Sequence, residues 1–186
     1  MLINNKIVLI SDFMNRLDAG KDAPKKVNAF IEIPKESNVK YEIDEETGIL
    51  RVDRILHTAM VYPYNYGFVA GTKGEDGDPL DIMVISKGKF LPNTVISVRP
   101  IGLLLMKDEE GVDTKIMSVP SEKIDPDYKD VKDISDLTEH DRNMMAHFFS
   151  YYKSLEPGKW AEVSGWEGAE KAYKEIENAI ARAKSD

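Results

Sequence analysis

Asn28-Ala29-Phe30-Ile31-Glu32-Ile33-Pro34, followed closely by Val39-Lys40-Tyr41-Glu42-Ile43 and Ile49-Leu50-Arg51-Val52-Asp53-Arg54-Ile55, is the stretch that decides the fold. Ala29, Ile31 and Ile33 alternate with Phe30, Glu32 and Pro34, the period-two pattern of a half-buried strand, and Glu32 lies opposite the apolar face. The next two runs read as strands joined by Asp44-Glu45-Glu46-Thr47-Gly48, a loop of hairpin length. Lys40 and Glu42 share one face of that hairpin, and Arg54 stands on the partner strand. Leu80 to Ile85, Thr94 to Met106 and Asp113 to Val119 supply further strands. At least five strands with short turns point to a closed or nearly closed barrel.

Helical periodicity comes late. Thr138 can cap a helix in which Met144, Met145, Phe148, Tyr151, Tyr152 and Leu155 recur at three and four residues, until Pro157-Gly158 stops it. A second helix follows Gly165, with Ala169, Ala172, Tyr173, Ile176, Ile180 and Ala183 on one face, and is expected to pack on the barrel. The apolar arc of the first helix is wider than one neighbour needs, so it is expected to meet another subunit as well.

At 186 residues and 42% hydrophobic content, the chain is expected to form one domain, residues 1–186, with a true core. A net charge of −8 argues against a nucleic-acid surface, which draws on clustered Lys and Arg. The chain has no cysteine, which removes disulfides, thiolate metal sites and a cysteine nucleophile and fits a reducing cytoplasm. No apolar run approaches the length needed to span a bilayer, and the apolar start of the chain is broken by Asn4, Asn5 and Lys6.

Chemistry is concentrated at Asp76-Gly77-Asp78-Pro79-Leu80-Asp81, which has no cation of its own. Two carboxylates about 4 Å apart repel by roughly 4 kcal/mol at an effective dielectric near 20, so such a cluster must take up protons or a cation. Oxygen-only donors point to magnesium, manganese or calcium. Spacing alone is weak, because Asp125-Pro126-Asp127-Tyr128-Lys129-Asp130 repeats the interval within a lysine-bearing polar run that reads as an ordinary loop. The first copy differs in its glycines, Gly71, Gly74 and Gly77, and in the strand that follows, which puts Asp81 at a rigid start. An EF-hand does not fit, since Leu80 and Lys87 stand where that motif needs an acidic or amide residue and a Glu.

Further carboxylates, Glu32, Glu42, Asp53, Asp108 and Asp113, fall at strand ends or on strand faces, and Lys40, Arg54, Lys115 and Lys153 alternate with them. Tyr62 and Tyr66 lie in the proline-bent loop Tyr62-Pro63-Tyr64-Asn65-Tyr66-Gly67. Taken singly, Lys40 with Glu42 and Arg54 with Asp53 read as solvated or cross-strand pairs, Lys153 as a helix-end charge and the tyrosines as core aromatics. Taken together, mixed charge at one barrel mouth fits a metal-phosphate ligand. His57, His140 and His147 are too scattered for a metal trio, and no Ser-His-Asp arrangement supports covalent catalysis. A non-catalytic calcium-binding barrel explains the acidic turns but not the tyrosines and lysines. A metal-dependent nucleotide hydrolase needs a place for the base, for which no separate glycine-rich loop offers a signal.

Ile31-Glu32-Ile33-Pro34, Lys40-Tyr41-Glu42-Ile43, Val52-Asp53-Arg54, the Tyr62 to Gly67 run and the Asp76 to Asp81 run together resemble soluble family I inorganic pyrophosphatases of the prokaryotic type, from about Leu17 to Lys184. The resemblance implies an α+β, mainly β fold: a closed five-stranded OB-like β-barrel with two principal α-helices in the C-terminal half. It implies hydrolysis of pyrophosphate to two orthophosphates by in-line attack of a metal-bridging water, without a covalent intermediate. Asp78 matches the general base; Asp76, Asp81 and Asp113, with Asp108 and Glu32, match ligands of several magnesium ions. Lys40, Arg54, Tyr66, Lys115, Tyr152 and Lys153 match phosphate-binding groups, and Glu42, Asp53 and Tyr62 match residues supporting them. The family also implies manganese as a substitute ion, calcium as inhibitory, a cytoplasmic homohexamer, and neither nucleic acid nor membrane as partner. Tyr151 departs from bacterial relatives that carry a histidine at a subunit contact, and Met1 to Asn15 exceeds the shorter bacterial forms, where it reads as an extra strand or subunit contact.

Overall fold

The computed structural model describes residues 17–44 and 47–185, so Met1 to Asn15 and the hairpin residues Glu45 and Glu46 lie outside the described residues. Five strands close a ring: β1 (Val27–Ile33), β4 (Asn65–Val69), β5 (Asp81–Val84), β8 (Lys115–Pro120) and β6 (Thr94–Asp108), which returns to β1. All neighbours are antiparallel except β5 and β8, which run parallel. The ring is the expected OB-like barrel, and it leaves no open edge among these five strands.

The membership of the ring differs from the sequence reading in two places. β2 (Val39–Ile43) and β3 (Leu50–Ile55) do form the expected hairpin, but they pair only with each other, outside the ring. Their place is taken by β4, whose first three residues fall in the run read as a proline-bent loop. Its Gly67 is there for close approach rather than for a turn, since a Cβ at this position would overlap the carbonyl oxygen of Phe30 on β1. Asn65, fully buried, fixes the entry to β4 by accepting from the Lys35 and Phe90 amides and donating to the Gly88 carbonyl. A further strand, β9 (Ala161–Gly168), pairs with the second half of β6 where the sequence offered no strand signal, and the two-residue β7 (Gly111–Val112) pairs with its end.

Residues of opposite parity feed two apolar layers. Met83, Leu104 and Met117 pack with Phe148 and Phe149 of α1 (Glu139–Tyr151), whereas Ile82, Val84 and Ile116 pack with Ala172, Ile176 and Ala179 of α2 (Ala169–Ala183). Thr138 caps α1 by accepting from the Asp141 amide, as its sequence predicts. The helix ends at Tyr151, short of Leu155, so Tyr152, Lys153 and Glu156 occupy the turns that follow it.

Candidate active site

The loop between β4 and β5 carries the aspartate run, and its shape follows from its hydrogen bonds. Thr72 is buried and its hydroxyl donates to the Val69 carbonyl at 2.6 Å while accepting from the Leu80 amide at 3.1 Å, which closes the base of the loop. At the tip, Gly74 donates to the Asp78 carbonyl and the Asp78 amide donates to Asp76 Oδ1 at 3.0 Å. Gly77 sits at φ +102°, a backbone state that side-chain-bearing residues rarely adopt. Asp76 and Asp78 are exposed on this tip, and Asp81 opens β5 as expected. The other aspartate run is the ordinary loop the sequence suggested: Asp125 caps a 3-10 turn and accepts from Ser86, and Asp127 pairs with Lys87 at 2.7 Å.

Every residue singled out from the sequence as a site candidate lines one cavity of about 310 Å³, beside Glu109, Glu110 and Lys159, which were not anticipated. Most of its lining is charged or tyrosyl. Lys115, 3% exposed on β8, donates to both Asp81 and Asp113. Lys153, 4% exposed, lies 2.8 Å from Asp108 and 3.0 Å from Glu109, and Lys159 meets Glu109 from the other side at 2.7 Å. Lys40 and Arg54 face each other across the β2–β3 register and share Asp53, at 3.3 and 2.9 Å, with Glu42 also contacting Lys40. Tyr62 and Tyr66 are core aromatics that also line the cavity: both are buried, their rings 5.4 Å apart, with Tyr62 against Phe148. The two readings that the sequence set against each other are therefore compatible.

Electrostatics mark the cavity as short of positive charge. Ten carboxylates line it against five lysine and arginine side chains, a formal deficit of five. Burial pushes the Glu32 carboxyl up to about 8, outweighing the Ile43 amide that donates to it at 2.9 Å. Asp113 is also raised, first by burial and then by Asp81 and Asp108, against the opposing pull of Lys115. Elsewhere cations win: burial works against Glu109, yet Lys159, Lys153 and backbone donors bring it down to about 2. Lys115 is held well above its ordinary range in spite of burial, because Asp81 and Asp113 flank it. Burial raises Tyr62, Tyr66 and Tyr152, so these phenols stay protonated and can donate.

Among the described residues, no three acidic or histidine side chains stand close enough together to hold a metal ion as they are. Lys115 occupies the space between Asp81 and Asp113 that a cation would share. The donor set nevertheless fits a hard divalent ion, being carboxylate oxygen throughout with two members, Glu32 and Asp113, held up chiefly by burial and further by neighbouring carboxylates. Asp76, Asp81 and Asp113 also line a smaller hollow of about 120 Å³.

Glu109, Glu110 and Lys159 escaped the sequence reading because charged residues in polar runs look like solvated surface. The only signal for Glu109 and Glu110 was their place next to Asp108; Lys159 had none.

Comparison with known proteins agrees with this geometry. The sequence model described as inorganic pyrophosphatase matches residues 29–184. An inorganic pyrophosphatase of Sulfolobus acidocaldarius is 53% identical over 167 residues, covering 90% of this chain and 96% of its own. That of Escherichia coli is 48% identical over 168 residues, again with 90% and 96% covered. The crystal structure of the inorganic pyrophosphatase from Thermus thermophilus superposes with a TM-score of 0.88 at 44% identity, over 90% of this chain and 97% of that one.

Proposed function

The chain belongs to the inorganic pyrophosphatase family, whose activity is hydrolysis of pyrophosphate, and we propose that it carries this out by direct in-line attack of water with no covalent intermediate. The observation that carries the reading is the single cavity in which ten carboxylates meet five cations and three buried tyrosines. Pyrophosphate is a compact polyanion, and a site for it needs donors aimed at phosphate oxygens together with acids that gather divalent ions.

Asp76, Asp81 and Asp113, with Asp108 and Glu32, are the residues we assign to holding several magnesium ions; manganese is the expected substitute and calcium the expected inhibitor. When bound, magnesium supplies charge neutralisation and lowers the pKa of water enough for attack near neutral pH. Asp78, exposed on the loop tip, is assigned as the base that removes the proton of the attacking water. Lys40, Arg54 and Lys115 bring fixed positive charge to the phosphate oxygens, as does Lys153. Tyr66 and Tyr152 donate neutral hydroxyls to the same oxygens, and Glu42, Asp53 and Tyr62 hold these groups in place. Protonated tyrosine is the useful form here, since a phenolate would repel the substrate.

We further propose that the chain works as one domain, assembles as a homohexamer and acts in the cytoplasm, without nucleic acid or membrane as partner. Exposed Tyr151 at the end of α1 and Leu155 in the turns after it support self-association, being 52% and 65% accessible. Among the described residues no helix is long and apolar enough to cross a membrane.

Phosphate release from pyrophosphate and from ATP, each with magnesium or with calcium, separates the competing readings. Magnesium-dependent release confined to pyrophosphate is the expected result. Comparable release from ATP would favour a nucleotide hydrolase, and no release from either would favour a calcium-binding barrel without catalysis.

A further inference from the structure

We infer that Glu156 is a positioning residue that fixes the guanidinium of Arg54 for pyrophosphate, an inference that rests on the reading of Arg54 as a phosphate-binding group. Arg54 belongs to the hairpin outside the barrel ring, whose two strands pair only with each other. Its guanidinium therefore needs an anchor on the main body. Glu156 provides one from the turns after α1: its Oε1 lies 3.1 Å from Arg54 Nε, while its amide donates to the Lys153 carbonyl at 3.0 Å. Asp53 holds Nη1 at 2.9 Å, so carboxylates meet the guanidinium at two of its nitrogens, one through a hydrogen bond and one through charge.

Glu156 is a poor candidate for a purely stabilising role. It is 8% exposed, and a buried ion pair seldom repays the desolvation of its charges. The contact lacks the alignment of a good hydrogen bond, and neither Arg54 Nε nor Glu156 Oε1 finds another hydrogen-bonding partner. A buried acid in so unfavourable a setting needs another account. The geometry supplies it, because Glu156 lies on the same short segment as Tyr152 and Lys153 and so ties Arg54 to two further groups that face the cavity.

A double-mutant cycle on the full chain, with kcat and KM for magnesium pyrophosphate measured separately, tests the inference. Arg54→Ala is expected to lower kcat/KM by about a hundredfold and Glu156→Gln by about tenfold. In the Arg54→Ala background, Glu156→Gln is expected to cost less than about threefold more. An equal loss in both backgrounds would show that Glu156 acts on something other than Arg54 and would overturn the inference. If Arg54→Ala itself left kcat/KM unchanged, the reading of Arg54 would fail first and separately. Should Glu156→Gln not fold, Glu156→Asp, which keeps the charge and withdraws it by one methylene, enters the same cycle with the same two outcomes.

Discussion

Lys115 shows how single residues in this cavity are held in a working charge state. Burial favours its neutral form, but Asp81 and Asp113 favour the ammonium more strongly, so a positive charge is kept where water is scarce. Asp78 is the opposite case, a carboxylate on an exposed loop tip. Its assigned task needs a lone pair that can take a proton. Asp78→Asn is therefore expected to fold normally and to lose about a hundredfold to ten-thousandfold in kcat at neutral pH, the usual share of a general base. Steady-state phosphate release checks this, and undiminished turnover would refute the assignment. The aspartates were legible in the sequence because they crowd without a cation beside a strand. Lys40 with Glu42 and Arg54 with Asp53 were legible as local pairs, but the long-range pairs were not, because Lys153 reaches Asp108 from 45 positions away and Arg54 reaches Glu156 from the far side of the chain. Nothing local announces such pairs.

At the scale of elements, propensity and period found the strands that alternate cleanly and missed those that do not. β4 is buried along its whole length, so it shows no alternation, and its proline, asparagine and glycine neighbours mimic a loop. β9 carries Glu162, Ser164 and Glu167 and owes its conformation to the long partner strand β6. The capping of α2 was equally hidden. Gly168 at its N-cap has no side chain, and Asp133 reaches in from a separate 3-10 turn to accept from the Ala169 amide at 2.8 Å. A Cβ at Gly168 would stand 2.6 Å from that carboxylate, which explains the glycine. Asp133→Ala is expected to cost about 1–2 kcal/mol of stability near neutral pH, read from the urea midpoint. Burial opposes the ionised form of Asp133, but the Ala169, Ser135 and Ile134 amides outweigh it and hold its pKa below the ordinary carboxylate value. A depressed folded pKa gives stability that is complete above the unfolded value and is lost as pH falls through the folded one. The gap between the natural chain and Asp133→Ala should therefore shrink below about pH 4. A gap that stays constant or widens there would contradict the capping role.

For the whole molecule, the barrel matters as a rigid collar that gathers distant segments at one opening. β1 brings Glu32, the outer hairpin brings Lys40 and Arg54, the β4–β5 loop brings the aspartate run, the end of β6 brings Asp108, and the turns after α1 bring Tyr152 and Lys153. Alternation and short turns predicted at least five strands and a closed or nearly closed barrel, but not which strands close the ring, because exchanging the β2–β3 hairpin for β4 changes no local pattern. Closure depends on long-range pairing of β1 with β6, which sequence spacing does not encode. The central claim is that this collar assembles a carboxylate cluster able to gather several divalent ions for pyrophosphate cleavage. Calorimetric titration of magnesium into the metal-free chain, with Asp81→Asn and Asp113→Asn in parallel, tests it most directly. The account predicts more than one magnesium per chain, with each variant losing an ion and pyrophosphate hydrolysis together; variants that bind as many ions as the natural chain and hydrolyse at its rate would contradict it.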